Sequence, residues 1–362
     1  MAEYLIQDTT LTELADAIRE RNNTAETIPV ADMARQIREG KESHVDTKTL
    51  TDWTYWFIYG ARANTAESID TSNGTVFDGF FASCSADMFP NGYPFDKINT
   101  SNGISFNSFL LSCKDITELS PYFVDVSNAE DLQSFFWQCS NLKTVPQLNT
   151  SKCKDFYGFC RECALLEEVP QLDTSNGTNF GYMFRNCQTL KTVPQFDTSK
   201  GTNFIYMFDT CYDLIEIPTL NTSNGTQFDN MCANCTRVVT IGKLDLTKAE
   251  SISNLFRNDY ALETLAGLTF NSMPTTKLAN IFYKDTKLKN ITITGTIKVD
   301  SNDLNLAHCS NLTVDSMLSI LNSLEDNTGK TTQYTVYFGS TNLAKLTDEQ
   351  KAIAVNKNIS LG

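Results

Sequence analysis

From residue 53 onward the apolar positions follow one repeating template. Cys139, Cys163, Cys187, Cys211 and Cys235 stand 24 residues apart. The same step forward reaches Asp259, then Asp285 after a two-residue insertion, then Cys309. Backward it reaches Cys113, Cys84 and Gly60, with short insertions between the first units. Seven residues before this column stand Trp53, Phe77, Phe106, Leu132, Phe156, Phe180, Phe204, Phe228, Ile252 and Leu278. Three before it the run is mostly Phe, with Cys160 and Cys232 as substitutes. Three after it come Leu142, Leu166, Leu190, Leu214, Val238, Leu262, Leu288 and Leu312, and six after it Val145, Val169, Val193, Ile217, Ile241, Leu265 and Ile291. The consensus is N-G-T-x-F-x-x-M-F-x-x-C-x-x-L-x-x-V-P-x-L-D-T-S.

Each part of the unit predicts an element. F-x-x-M-F-x-x-C places apolar groups at i, i+3, i+4 and i+7, the spacing of one face of about two helical turns. L-x-x-V-P-x-L is short and β-branched and predicts one strand. Pro146, Pro170, Pro194 and Pro218 cannot donate a ladder hydrogen bond, so each should end its strand or sit where no neighbour needs its N–H. D-T-S-N-G-T is turn chemistry, because Asn-Gly tolerates positive φ and Asp, Thr and Ser bond nearby backbone. The same run can cap a following helix. Units that bury one face fold only when stacked, which predicts a solenoid.

The unit resembles the leucine-rich repeats of the BspA type, which also occur in surface lipoproteins of mycoplasmas. The M-F-x-x-C-x-x-L core carries the resemblance over residues 53–312, close to three quarters of the chain. It implies an α/β solenoid, leucine-rich-repeat-like, of about eleven coils of about 24 residues. At a spacing near ~4.8 Å such coils would build a rod or arc of roughly 50 Å.

The ends depart from the template. Residues 1–40 predict a helical attachment or oligomerisation segment. Thr10-Leu-Thr-Glu13 is a capping box, with Leu11, Leu14 and Ile18 on one helix face. A second helix starting at Pro29 turns Met33 and Ile37 inward. Such a pair is too small to stand alone. It packs on a partner or a second copy, or else caps the solenoid. Residues 41–52 read as a polar linker, and residues 313–362 as a small α/β capping segment. In that segment Thr313 opens a helix with Val314, Met317, Leu318, Leu321 and Leu324 inward, Gln333 to Phe338 alternates as a strand, and Thr347-Asp-Glu-Gln350 is a second capping box. Trp53, Trp56 and Phe57 should close the core at the other end.

YLIQDTTLTELADAIRERNNTAETIPVADMARQI, about a tenth of the chain, resembles a segment opening many tail and baseplate proteins of phages and prophages of Gram-positive bacteria. Asn22-Asn23 stands where Thr-Gly is more usual. The stretch from Leu312 to Asn358 resembles the end of phage-encoded proteins of the same kind. Neither likeness names a catalytic residue.

Composition narrows the chemistry. The chain has 362 residues, 41% hydrophobic and 20% charged, too apolar for disorder and too polar for a membrane protein. A formal charge of -14 disfavours nucleic acid and anionic membranes. The N-terminus lacks the basic and apolar regions of a secretory signal, so synthesis in a reducing cytosol is expected. Length alone would suggest two or three domains, but the repeat points to one elongated solenoid with short attachments.

Eleven cysteines could form a disulfide or metal ladder, and Cys160-x-x-Cys163 and Cys232-x-x-Cys235 have redox or zinc spacing. The register argues instead for a column of buried free thiols, since Cys160 and Cys232 occupy Phe positions. Cys153 lies outside the ladder and is the thiol expected to be exposed. His44 falls in the linker and His308 beside the column, both expected to be structural or solvent-facing. No serine-hydrolase elbow, Walker loop, HExxH or dinucleotide fingerprint occurs. Asp259 and Asp285 invite a glycosidase reading, but their equivalent repeat positions favour hydrogen-bonded substitutions. No metal and no cofactor are expected.

Binding candidates lie on the repeat surface. Along the strand stand Lys143, Glu167, Lys191, Glu216 and Glu263, a face of mixed charge. Tyr157, Tyr182 and Tyr206 form a second row, with Tyr212 and Tyr260 just beyond the column. Exposed rings suit sugar stacking, whereas rings laid across neighbouring coils are packing. The terminal resemblances imply a non-enzymatic phage tail or baseplate receptor-binding protein. It would be made in the host cytoplasm and carried in the virion. Its partners would be tail proteins and a bacterial surface glycan or protein, and a homotrimer is favoured. The alternatives are a bacterial cell-surface adhesin of the same repeat family and a solenoid polysaccharide depolymerase with clustered carboxylates.

Overall fold

The computed structural model describes residues 47–63, 69–275, 277–278, 281–299 and 303–362. Leu11, Leu14, Ile18, Met33, Ile37 and His44 lie outside the described residues. The chain divides into two units, Met1–Thr49 and Leu50–Gly362, and the coils belong to the second.

That second unit is a repeat solenoid of parallel coils, but its F-x-x-M-F-x-x-C segments are not helices. In the coil around Cys187, alternate residues send their N–H groups to the next coil. Phe180, Tyr182, Phe184 and Asn186 donate to the carbonyls of Asn203, Ile205, Met207 and Asp209 at 2.8–2.9 Å. Met183, Arg185 and Cys187 instead donate to the carbonyl three residues back, at 3.0–3.3 Å. The chain is a string of turns whose spare donors tie each coil to its successor. The string requires positive φ at two fixed positions, five residues and one residue before the column. Tyr182 (59°) and Asn186 (62°) hold them in one coil, Tyr206 (54°) and Thr210 (66°) in the next. The expected helices are therefore corrected. The i, i+3, i+4, i+7 spacing is met by a turn run as well as by a helix, because Phe180, Met183, Phe184 and Cys187 all point inward and are fully buried. Asp-Thr-Ser-Asn caps no helix, but its turn chemistry holds. Asp173 Oδ1 accepts the Ser175 N–H at 3.0 Å, and each buried threonine bonds the following coil, as when Thr174 Oγ1 donates to Asp197 O at 2.8 Å.

Two further ladders run along the coils. One joins Asp52, Val76, Ser105, Asp131, Asp155, Asn179, Asn203, Gln227 and Ser251 by parallel bridges. The other passes from the Lys289 N–H to Glu263 O, from Glu263 to Val239, from Val239 to Ile215, and on through Lys191 and Glu167 to Lys143. Regular strands along this second ladder depend on proline. Where Pro146, Pro170 and Pro194 occur, the L-x-x-V-P-x-L segment forms at most a single bridge, Thr144 to Glu168. β1 (Glu216–Ile217) stops immediately before Pro218. Beyond it, with no proline at that position, β2 (Thr240–Asp245), β3 (Thr264–Pro274) and β4 (Asn290–Lys298) lengthen into a parallel sheet in the order β1-β2-β3-β4. The buried column Ile217, Ile241, Leu265, Ile291 runs through its register. The expectation of one strand per unit holds only for the later coils.

All eleven cysteines are free and buried. The column thiols at 139, 163, 187, 211 and 235 each donate to the backbone carbonyl 27 or 29 residues back, at 3.0–3.1 Å. Cys153 is buried as well, which overturns its expected exposure. It stands ten residues before the column, where other coils carry Gly74, Gly103, Ala129, Gly177, Gly201 or Gly225. This slot lies against the aromatic ring of its own coil: a Cβ on Gly177 would meet Phe180 Cζ at 2.5 Å.

β5 (Leu304–Asn305), β6 (Tyr334–Tyr337) and β7 (Ile359–Leu361) form a second parallel sheet. Three helices accompany it: α1 (Val314–Ser323), α2 (Ser340–Leu343) and α3 (Asp348–Val355). Thr313 caps α1, and Thr347 with Gln350 closes a capping box on α3. In α1 Met317 and Leu321 are buried as expected, but Ile320 joins them while Leu318 is only half-buried. Trp53 and Phe57 are fully buried at the first coil, with the Trp53 and Trp56 rings 4.7 Å apart.

Candidate functional site

The repeat converts sequence register into surface columns, and the candidate residues fall into three of them. The strand column brings Lys143, Glu167, Lys191 and Glu263 onto one ladder, with Glu216 beside it in β1. Charges pair between neighbouring coils. Lys191 Nζ lies 2.7 Å from Glu167 Oε2 and Lys289 Nζ 2.9 Å from Glu263 Oε2. Lys191 holds the Glu167 carboxyl below its ordinary range, by its hydrogen bond first and its charge second. Between the two pairs the column turns apolar, with Ile215 and Val239 exposed.

The second column is a ring stack. Tyr157 and Tyr182 have centroids 5.0 Å apart, as do Tyr182 and Tyr206. Arginines interleave with them. Arg161 lies 4.5 Å from the Trp137 centroid and 5.2 Å from that of Tyr182, while Arg185 lies 5.5 Å from Tyr182 and 5.0 Å from Tyr206. Arg185 Nε also bonds Asp209 Oδ2 at 3.0 Å and Arg161 Nε bonds Glu162 Oε1 at 3.0 Å. Tyr182 thus meets two rings and two guanidinium groups, and the arrangement is a half-buried cross-coil staple. Trp137, Arg161 and Arg185 were not singled out from the sequence. They share a register, two residues before the column, and that shared position was the available signal.

The third column holds Tyr212 and Tyr260, one residue after the cysteine position and two coils apart, both exposed. Neither ring has an aromatic or cationic partner among the described residues. Thr236 stands between them and donates its hydroxyl to Tyr212 O at 3.4 Å. One position further along, Arg237 Nη1 reaches Asp213 Oδ1 at 3.0 Å.

The remaining candidates resolve by burial. Asp259 and Asp285 sit inside the core, out of reach of solvent. Asp259 Oδ1 accepts the Cys235 N–H at 2.8 Å. Burial pushes the Asp285 carboxyl up to about 9 and also raises Asp259, whose second cause is the neighbouring Asp285 charge. They are hydrogen-bonded substitutions in the thiol column. His308 packs edge-on against Tyr283 at 5.1 Å. Among the described residues no group of three or more His, Cys, Asp or Glu could hold a metal ion, and no helix is long and apolar enough to cross a membrane.

Comparison with known proteins places residues 130–241 on the model of a Mycoplasma protein family of unknown function, DUF285. No curated protein matches the chain. Among solved structures, a leucine-rich repeat protein from Bacteroides ovatus is similar with a TM-score of 0.30 and 14% identity, over 60% of this chain. The match spans 66% of the length of that protein.

Proposed function

We propose that the chain is a non-enzymatic recognition protein whose leucine-rich-repeat-like solenoid binds a bacterial surface. The observation that supports this most directly is the contrast between columns. The core positions repeat from coil to coil, while the exposed strand column changes from Lys143 and Glu167 to Ile215 and Val239. An invariant scaffold with a variable exposed ladder is how repeat proteins present a binding surface.

In the finer reading the protein is a phage tail or baseplate component. The resemblance of its first and last segments to such proteins supports this. Residues 1–40 would attach it to the tail, as a trimer, and the coils would meet the host. The test is deletion of residues 1–40. The truncated protein should lose its oligomeric state, measured by light scattering, and its incorporation into particles, while keeping a cooperative melt. A truncated protein that still assembles removes the attachment reading.

A second reading, a bacterial cell-surface repeat adhesin, is favoured by the match of residues 130–241 to a Mycoplasma family. Immunogold labelling separates the two. Label on tail particles supports the first, and label on the cell envelope supports the second.

A further inference from the structure

We propose that the strip from Tyr212 to Tyr260 binds a neutral, extended glycan chain lying along the coil axis, a ligand class for the recognition reading on which this inference rests. Five tyrosines are candidates for sugar stacking, and ring contacts separate them. Tyr157, Tyr182 and Tyr206 cover one another and meet Arg161 and Arg185. Tyr212 and Tyr260 are 41% and 42% exposed, and neither stacks on another ring or a cation among the described residues. Such rings offer apolar area with few rotatable bonds, well suited to the C–H face of a pyranose.

The spacing selects the ligand's shape. Two coils separate the rings, about 9.6 Å at a strand spacing of ~4.8 Å, roughly the span of a disaccharide unit. Thr236 occupies the intervening coil with its hydroxyl turned to Tyr212 O, so the floor between the rings carries only a small side chain. Three residues further along each coil, Ile215 and Val239 are exposed at 46% and 39% and continue the apolar surface. Asp213 and Arg237 border the strip with acceptors and donors for vicinal hydroxyls. A flat apolar track with a few edge polar groups is the chemistry of a sugar site.

The charge selects a neutral chain. Asp213 is paired with Arg237 and Glu263 with Lys289, while Glu216 has no ion-pair partner among the described residues. The strip is therefore slightly anionic, as is the whole chain at -14. A polyol phosphate polymer would be repelled there.

The test uses the full chain, titrated calorimetrically with β-1,4-linked glucose and N-acetylglucosamine oligomers of two, four and six units. A glycerol phosphate polymer and oligolysine serve as charged controls. Affinity for one neutral series should rise from two units to four. Tyr212→Ala and Tyr260→Ala should each weaken it at least about tenfold, and the double variant should abolish it. Tyr182→Ala should leave binding unchanged, and thermal melts report whether each variant is folded. The proposal is overturned if neither neutral series binds, if the double variant binds as the parent does, or if only a charged polymer binds. Adsorption of the parent to bacterial envelopes is measured in parallel. Adsorption that survives in the double variant removes this site and leaves the recognition reading standing, whereas no adsorption at all removes that reading as well.

Discussion

Asp259 donates its backbone N–H to Oδ1 of Asp285, one coil away, at 3.0 Å. Both residues stand where other coils carry a thiol, and both keep a buried Oδ2 with no hydrogen-bond partner. A lone carboxylate in such a core is costly, so the stable form is the neutral acid.

Stability should therefore fall as pH rises. Below the ordinary aspartate value of 3.8 the folded and unfolded chains both hold the proton, and the contribution of Asp285 is fully present. Above it the unfolded chain releases the proton while the folded chain retains it, and the contribution is lost as pH climbs toward about 9. Asp285→Asn keeps the size and stays neutral throughout. Its melting temperature should lie near that of the parent at about pH 3.5 and exceed it by several degrees at about pH 9, the gap widening steadily between. Parallel profiles for the two proteins would show that Asp285 is ionised in the fold.

The small slot ten residues before the column sets a packing rule. A Cβ on Gly177 would lie 2.5 Å from Phe180 Cζ, and one on Gly225 2.2 Å from Phe228 Cζ. Where the slot holds Ala129 or Ala249, the facing residue is Leu132 or Ile252, and the coil of Cys153 is the exception that keeps a ring, Phe156, beside a Cβ. Gly177→Ala alone should cost about 1–3 kcal/mol by overpacking. Adding Phe180→Leu should recover part of that loss, a coupling that a double-mutant denaturation cycle measures directly. Additive effects would mean that the ring moves aside freely.

These columns show what the sequence made legible and what it hid. The cysteine register, the Asp-Thr-Ser turn and the capping boxes at Thr313 and Thr347 could all be read, because each is a short-range pattern with one physical meaning. The turn string could not, since the spacing of Phe180, Met183, Phe184 and Cys187 suits a helix equally well. Its distinguishing mark was the residue pair at positive φ, which reads Gly158 and Glu162 in one coil, Tyr182 and Asn186 in the next, and Asn230 and Asn234 later. The recurrence of Gly and Asn there was a signal, blurred by Tyr and Glu. Cys153 was misjudged because it was compared with the cysteine column and not with the glycines of its own register. Among the surface candidates, the columns were legible from spacing, but ring stacking depends on how neighbouring coils lie. That is why Tyr182 and Tyr212 differ in exposure.

Thiol chemistry should report the fold as a unit. Burial raises the Cys84 thiol to about 11 and that of Cys113 to about 12, and it lifts the fully enclosed Cys187 and Cys211 further. A thiol-reactive disulfide added at about pH 8 should find almost no reactive cysteine in the native chain, Cys153 included. In denaturant all eleven should react. Rapid modification of Cys153 in the native protein, located by mass spectrometry, would contradict its place in the slot.

At the C-terminal end one lysine ties two elements together. Lys357 Nζ, just beyond α3, donates to the carbonyls of Leu321, Asn322 and Leu324 at 3.0, 3.0 and 2.6 Å. Those carbonyls lie at the C-terminal end of α1, where a cation also meets the negative end of the helix dipole. Burial lowers the pKa of the amine, the nearby Asp326 charge opposing the shift. Lys357→Met keeps the aliphatic stem and removes the donors. Discounted for partial exposure, the loss should be about 1–2 kcal/mol. It should appear as faster amide exchange in the last turn of α1 and in β7, with the coils around Cys187 unchanged. Lys191→Met, which removes only the exposed pair with Glu167, should leave the melting temperature essentially unchanged. If the two variants melt alike, the carbonyl cluster at Lys357 contributes no more than a surface ion pair.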